Sequence, residues 1–451
     1  MKNKLIIPEY IAYKTYKFSK PNSRTIISNE YRHETLLLEG LSSDMWYVIA
    51  TANTTEEIIS FAKEYNLLND LEGFIEELTL QGLLQRENII EQLSTNDVEP
   101  VSDSAEVIEL ENEMKNWCYN NGFLYSLFIE LTYACNLKCV HCYNPKNISN
   151  VQATFEQLKP IIDDASDLGC FRITFSGGES TLHKDFLNII KYAKQKRMSV
   201  EIFTNGQTLY DNEELRNEIL KCYPYRVGLS LYSLNSEVHD KITQVQGSCR
   251  KTMFVIKELR KNNVNVQIKN FLMNINAKDS VEVYNFGKSI NTSSGADISL
   301  IPTIEGDKKT FEYEISEEDL FELFTNKESS MYVGRMIPKN ISKLLNDTPC
   351  GAGIYGLSIN PALEVYPCCS FSYILDNLGK TSLKNIWEKS EKLKQWQRVK
   401  NCDLKECYKY EYCKYCSYCP GMGILENGYF EKSDILCKQA KARQKALGCI
   451  K

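Results

Sequence analysis

The sequence predicts an α/β protein whose centre is a parallel barrel, complete or partial, of about six strand-then-helix units. Three observations carry this. Between residues 123 and 310 short strands rich in branched residues alternate with helical segments, a smaller unit of strands then helices comes before them, and a cysteine-rich tail follows from residue 348. At 451 residues the chain is too long for one ordinary core, so two or three domains are expected.

Residues 1–86 form the first unit. "YIAYKTYKF" and "TIISNEYRHETLLLEG" have the aromatic and branched content of strands, and Gly40 offers a turn. "SDMWYVIATA", "EEIISFAKEY" and "LEGFIEELTLQGLL" then place apolar residues at helical spacing, ending on Ile75, Leu78, Leu83 and Leu84. Thr54 followed by Glu57 is a capping-box start. Three strands followed by three helices is the expected order.

Residues 87–122 read as an acidic, polar linker with Pro100 in its middle and a helical end. The barrel, 123–310, opens with the strand "LFIELTY" and the cysteine loop. The helix "TFEQLKPIIDDASDLG", the strand "FRITFSGGE", the helix "FLNIIKYAKQKRM" and the strand "VEIFTNG" follow, and the pattern continues through "YRVGLSLYS", "VNVQIKNFLMN" and "ADISLIPT". Chemistry in such folds gathers at the carboxyl ends of the strands. Residues 311–347 are a bridging helical region, and 348–451 make the cysteine-rich domain.

Composition narrows the function. Apolar residues make up 43% and charged residues 25%, which is globular, and the formal charge of −6 with scattered lysine and arginine gives no footprint for nucleic acid. The start lacks a cleavable apolar segment, and no stretch reaches the roughly 18 apolar residues that span a bilayer. A soluble cytoplasmic protein is expected, with neither nucleic acid nor membrane as partner. Seventeen cysteines then call for metal ligation rather than disulfides. Cys118, Cys170, Cys222, Cys249 and Cys449 stand apart as packing residues, while the others fall in a cluster at 135–142 and a group between Cys350 and Cys437.

"CNLKCVHCY" spaces Cys135, Cys139 and Cys142 as CxxxCxxC, enough to hold three irons of a cubane cluster and leave one iron open. Zinc held by the three thiols and His141 is the alternative. The loop follows the first barrel strand; the second ends in "SGGE", Ser176 to Glu179, the third in "TNG", Thr204 to Gly206, and the fourth reads "GLSLYS", Gly228 to Ser233. This ordered set resembles the radical S-adenosylmethionine enzymes.

The resemblance implies a [4Fe-4S] cluster on Cys135, Cys139 and Cys142 whose open iron is chelated by S-adenosylmethionine. Gly177 and Gly178 would leave room for the methionyl moiety, Glu179 would meet its ammonium group, and Tyr143 would lie beside the adenine. Asn205 and Ser230 would contact ribose and carboxylate. Reductive cleavage would give methionine and a 5'-deoxyadenosyl radical that takes hydrogen from the substrate, the electron coming from a reductant such as flavodoxin or ferredoxin.

The tail, "CGAGIYGLSINPALEVYPCCS", "NCDLKECYKYEYCKYCSYCPG" and "LCKQAKA", resembles the SPASM extension with two auxiliary [4Fe-4S] clusters. By that resemblance Cys350, Cys368 and Cys416 serve the nearer cluster and Cys402, Cys407, Cys413 and Cys437 the outer one, with Cys369 and Cys419 surplus and able to replace a neighbour. The pattern departs from the usual form in having Leu363 where glycine is common, and in the four-residue gap between Cys402 and Cys407. A pair of zinc sites is the alternative. The first 86 residues resemble the winged-helix-like peptide-recognition domains of the PqqD type.

Together these imply a maturase of ribosomally made peptides with a leader-bearing precursor as partner. Formation of a cysteine sulfur-to-carbon thioether is the leading expectation. Carbon–carbon crosslinking, epimerisation, side-chain oxidation of the sulfatase-maturase kind, and a non-catalytic iron–sulfur scaffold are the alternatives.

Overall fold

The computed structural model describes residues 5–17, 23–87, 105–145, 151–334, 338–404 and 406–449. The chain opens with β1 (Leu5–Ile6), β2 (Ile11–Tyr16), β3 (Arg24–Asn29) and β4 (Glu34–Glu39), followed by α1 (Leu41–Thr51), α2 (Thr55–Glu64), α3 (Leu68–Leu80) and β5 (Gln85–Arg86). β2, β3 and β4 form an antiparallel sheet in that order, and β5 returns to pair with β1. The Thr54 side chain accepts from the Glu57 amide and Glu57 reaches back to the Asn53 amide, so the helix start forms where it is expected. One face of the sheet packs on α1–α3 through Ile11, Ile27, Trp46, Ile75 and Leu78.

The other face packs on α4 (Ala105–Asn120) through Ala12, Tyr16, Ile26, Met114 and Cys118. The expected linker therefore holds a helix of 16 residues; its residues 88–104 lie outside the described residues. α4 also reaches the barrel, where Glu111 pairs with buried Arg172, and Arg172 stacks 3.3 Å over the Tyr225 ring.

The barrel strands are β6 (Ser126–Thr132), β7 (Arg172–Gly177), β8 (Ser199–Thr204), β9 (Arg226–Ser230), β10 (Val266–Phe271) and β11 (Ser293–Asp297), parallel and adjacent in chain order. The helices between them are α5 (Phe155–Asp167), α6 (Phe186–Gln195), α7 (Gln207–Asp211), α8 (Glu213–Lys221), α9 (Ser236–Thr243), α10 (Ser248–Lys261) and α11 (Ser280–Ser289). Alternate strand residues such as Leu127, Ile129, Ile173, Phe175, Val200 and Ile202 are buried against these helices. The residues between them face the inside of the curved sheet.

The tail does not stand apart from the barrel. β12 (Gly356–Ile359) pairs in parallel with β6, and β13 (Glu364–Tyr366) and β14 (Asp376–Asn377) extend the sheet antiparallel, giving nine strands in all. The hairpin of the cysteine-rich region thus lies beside the strand that leads into the CxxxCxxC loop. Among the scattered cysteines, Cys118, Cys170, Cys222 and Cys249 are buried; the Cys449 side chain lies outside the described residues. Among the described residues no helix is long and apolar enough to cross a membrane.

The first unit docks on the ends of the barrel elements that precede the strands. The Tyr13 amide donates to the Arg197 carbonyl at 3.0 Å, the Arg197 guanidinium donates to the carbonyls of Ile7, Pro8 and Ile11, and buried Glu30 pairs with Lys194. The CxxxCxxC loop is at the opposite end.

Candidate functional site

The three thiols sit where β6 ends. Ala134 N donates to Thr132 Oγ1, and the loop is tied to the end of α9 by Lys138 N to Thr243 O at 2.9 Å and Val140 N to Ile242 O at 3.0 Å. Cys135 Sγ accepts from Leu137 N at 3.4 Å and faces Asn205 Nδ2 at 3.7 Å. Burial pushes the Cys135 thiol up to about 12, with Glu179 and Cys142 adding to it. Burial raises Cys139 as well, and Cys142 and Cys135 raise it further. Three thiols that repel one another when ionised are a donor set completed by bound cationic metal.

His141 does not join them. Its ring lies in an apolar cluster, 4.8 Å from Tyr232 and 5.2 Å from Phe271, and Nδ1 has no hydrogen-bond partner among the described residues. Burial lowers it to about 4, so it stays neutral. Among the described residues no three His, Cys, Asp or Glu side chains gather round a single-ion position.

"SGGE" packs directly on this loop. Gly178 N donates to Thr132 O at 2.7 Å and Glu179 N to Ala134 O at 2.8 Å. A Cβ at Gly177, which has φ 125°, would lie 2.3 Å from Thr132 O, and one at Gly178 2.4 Å from Ala134 O and 2.6 Å from Tyr133 O. Here the two glycines admit the backbone that carries Cys135.

Glu179 is 1% exposed, and its oxygens accept from Thr181 N, Thr181 Oγ1, Thr204 Oγ1 and Asn205 N, at 3.2, 2.5, 2.6 and 2.7 Å. Burial raises its carboxyl while these bonds oppose the rise. It ties the "SGGE" and "TNG" turns together. Asn205 continues the network, with Nδ2 donating to Asn136 Oδ1 at 2.7 Å. Ser230, half-buried at the end of β9, lies near the Tyr232 hydroxyl and opposes the rise that burial gives it. The structure thus gathers Cys135, Glu179 and Asn205 into one bonded set, with Tyr143 and Ser230 on flanking elements.

Tyr143 leads to a residue that the sequence reading passed over. Its hydroxyl, kept protonated by burial and by Glu130, donates to Glu130 Oε1 at 3.1 Å. Glu130 is 3% exposed, and burial pushes its carboxyl up to about 7, against the Tyr143 bond. With Tyr133, Asn360, Tyr366 and Cys369 it lines a cleft between the first barrel strand and the cysteine-rich hairpin. The signal was there in "LFIELTY": a carboxylate at an inward position between apolar neighbours.

The tail's thiols fall into two groups. Cys350 is within electrostatic reach of Cys419 and Cys368, and Cys419 of Cys368. Cys416 interacts with Cys437, Cys407 and Cys413, and Cys407 with Cys437 and Cys413. The sequence expectation put Cys416 with Cys350 and Cys368, and Cys402 in the outer set. The structure instead brings Cys416 to the outer thiols and Cys419 to the nearer ones, because the short turn Glu411–Tyr415 carries Cys413 and Cys416 together while Cys419 begins the helix Pro420–Asn427. Cys402 is exposed, and among the described residues its thiol reaches the Asp403 carboxylate at 4.0 Å and no other cysteine. Cys369 touches the Cys368 thiol, which lowers Cys368 and raises Cys369. Accordingly Cys416→Ala is expected to remove about four irons, the content of one cluster, and Cys402→Ala none, by iron analysis of anaerobically purified protein.

A parallel strand barrel with a three-thiol loop at its carboxyl ends, and two further thiol groups beside it, defines an iron–sulfur enzyme of the radical type. Residues 129–286 match the radical SAM superfamily and residues 350–420 an iron-sulfur cluster-binding domain, SPASM. The chain is 31% identical over 341 residues to the antilisterial bacteriocin subtilosin biosynthesis protein AlbA of Bacillus subtilis, covering 70% of this chain and 71% of that protein. It is 25% identical over 309 residues to the mycofactocin maturase MftC of Mycolicibacterium smegmatis, covering 63% and 76%. Among solved structures, Streptococcus suis SuiB bound to precursor peptide SuiA superposes with TM-score 0.55 at 15% identity, covering 96% and 99%. Native anSMEcpe with bound AdoMet and the Cp18Cys peptide superposes with TM-score 0.56 at 18% identity, covering 72% and 96%.

The chain belongs to the radical SAM superfamily and carries the SPASM domain. It is an S-adenosylmethionine-dependent enzyme with one cluster for that cosubstrate and auxiliary iron–sulfur clusters in its tail.

Proposed function

We propose that this enzyme modifies a ribosomally made precursor peptide by joining a cysteine sulfur to a carbon of another residue. The observation that carries the reading is the cleft around Glu130, enclosed between the first barrel strand and the hairpin that leads to Cys368. A peptide side chain reaching it would have Tyr143, which directly follows the cysteine loop, on one side and Cys369 of the tail on the other. The bacteriocin biosynthesis protein and the precursor-bound SuiB among the similar proteins support a peptide as substrate.

Cys135, Cys139 and Cys142 would hold the cluster that supplies a carbon-centred radical from S-adenosylmethionine, with Glu179, Asn205, Ser230 and Tyr143 shaping the pocket beside it. Cys350, Cys368 and Cys419 would hold the nearer auxiliary cluster, and Cys407, Cys413, Cys416 and Cys437 the outer one. Flavodoxin or ferredoxin is the expected reductant, and a reducing cytoplasm suits so many thiols.

Residues 1–86 would be the leader-recognition domain. The β2 side of its sheet is occupied by the barrel through the Tyr13 and Arg197 bonds, whereas among the described residues no strand pairs with the outer edge of β4. An extended leader can add there, with backbone hydrogen bonds giving affinity. Full-length enzyme is expected to process the leader-bearing precursor at least about tenfold better in kcat/KM than the leaderless core, each crosslink lowering the peptide mass by two hydrogens. Equal rates on both would move the reading to the sulfatase-maturase kind. An unchanged mass with inverted residues would move it to epimerisation.

A further inference from the structure

We propose that Glu130 takes the proton from the peptide's cysteine thiol as sulfur is joined to carbon, an inference that rests on the thioether reading above. Glu130 is held in β6 at an inward position, flanked by Ile129 and Leu131, both 0% exposed and packed outward in the barrel core. That parity leaves its carboxylate no direction but the interior of the curved sheet. It is nine-tenths or more buried and lines the cleft.

One oxygen is fixed and the other is available. Oε1 accepts from the Tyr143 hydroxyl, and no hydrogen bond to Oε2 is found among the described residues. The other titratable groups of the cleft are spoken for. The Tyr143 hydroxyl is committed to Glu130 Oε1, and Tyr133 forms part of the cleft wall. Tyr366 donates to Glu364 at 2.7 Å, and Asn360 donates to the same Glu364 oxygen at 2.8 Å. Cys369 lines the cleft with its thiol 3.9 Å from the Ser370 hydroxyl. Glu130 is the carboxylate with an unclaimed acceptor at this place, and a positioned acceptor in a dry cleft is what thiol deprotonation needs.

The balance closes. The substrate S–H and C–H bonds break and one S–C bond forms. The hydrogen of carbon would leave as an atom to the radical derived from S-adenosylmethionine, the thiol proton goes to Glu130, and an auxiliary cluster held by Cys350, Cys368 and Cys419 would supply the acceptor for the one remaining electron. Glu130 then returns its proton to solvent when the product leaves.

The test uses full-length, cluster-loaded enzyme with S-adenosylmethionine, reductant and cysteine-containing precursor, comparing wild type with Glu130→Gln and Glu130→Asp. Glutamine keeps the shape and the acceptor for Tyr143. The expected result for Glu130→Gln is deoxyadenosine formation within about threefold of wild type, with crosslinked peptide lowered by about 100-fold. Peptide affinity by fluorescence anisotropy stays unchanged, and a titrating carboxyl signal present in wild-type infrared difference spectra is absent. Glu130→Asp recovers part of the crosslinking, and the pH dependence of crosslinking seen in wild type is lost in Glu130→Gln. Wild-type crosslinking in Glu130→Gln overturns the proposal, as does a parallel loss of deoxyadenosine and peptide affinity, which marks a merely structural role. Wild-type enzyme that makes deoxyadenosine from S-adenosylmethionine in the presence of the precursor but forms no crosslink overturns the thioether reading itself.

Discussion

Replacing Cys135, Cys139 and Cys142 together with alanine is expected to abolish deoxyadenosine formation while leaving about eight of about twelve irons in place. The reason is where the three thiol groups are built. The first loop depends on β6 and on backbone bonds to Thr243 and Ile242, none of which involves a thiol. The tail's thiols depend on the β12–β13 hairpin, the turn Glu411–Tyr415 and the helices Pro420–Asn427 and Asp434–Cys449. Loss of one group leaves the scaffold of the others standing. Cys139 is the one of the three that also packs on an apolar cluster, beside Tyr232 and Ile242, and alanine there removes little volume. Anaerobic iron analysis and spin-resonance spectra of the triple variant, with chromatography for deoxyadenosine, decide the matter. Full iron content, or residual cleavage of S-adenosylmethionine, would place the radical cluster elsewhere.

The repeating part of the fold was legible because period-2 strands and 3.6-period helices alternate in local sequence. Five of the six parallel strands stand where the alternation put them, while the sixth, β11, lies earlier than "ADISLIPT" and overlaps it only at Ala296 and Asp297. What local sequence did not contain was the pairing of β12 with β6, a contact between segments far apart in the chain, chosen by the open edge of the barrel. Nor did it show that α4 is clamped between the small sheet and the barrel through Met114, Cys118 and Glu111; its acidic composition reads as solvated until Arg172 is placed beside it.

Leu363 is a departure with a physical answer. It stands in the hairpin where glycine is usual, and its φ is 64°. A left-handed non-glycine residue costs about 1–2 kcal/mol, and burying a leucine returns about 1.5–3 kcal/mol. At 9% exposed, against the barrel core, Leu363 has that compensation.

The site divides in the same way. Spacing within a loop pointed to Cys135, Cys139 and Cys142, strand ends pointed to Glu179 and Asn205, and the structure brings Cys135, Glu179 and Asn205 together. Which of Cys402, Cys416 and Cys419 meets which partner depends on how turns and a helix start are oriented, and spacing carries none of that. Glu130 needed the parity of β6 and the position of the hairpin together.

Gly178→Ala is expected to leave a folded protein that has lost at least about 100-fold in deoxyadenosine formation. No left-handed strain enters at this position, so the effect is purely steric. The added Cβ falls 2.4 Å from Ala134 O, 2.6 Å from Tyr133 O and 2.8 Å from Tyr133 C, all backbone atoms that cannot rotate away. Ordinary contact is about 3.5–4.0 Å, so the segment holding Cys135 and the "SGGE" turn must separate by about 1 Å. Overpacking of this size costs about 1–3 kcal/mol, less than the usual 5–15 kcal/mol of a domain, and the chain still folds. Chemistry tolerates less, because a displacement of about 1 Å in an aligned site costs on the order of 100-fold. The tail's iron content stays at the wild-type level, since the atoms nearest the added Cβ belong to Tyr133 and Ala134 rather than to the tail. Gly73→Ala is the matched control: it lies inside α3 with nothing within 4 Å, so it is expected to keep full activity and gain about 0.5–1 kcal/mol of stability. Full activity in Gly178→Ala would mean that the cysteine loop can shift without consequence, and that "SGGE" does not hold it in place.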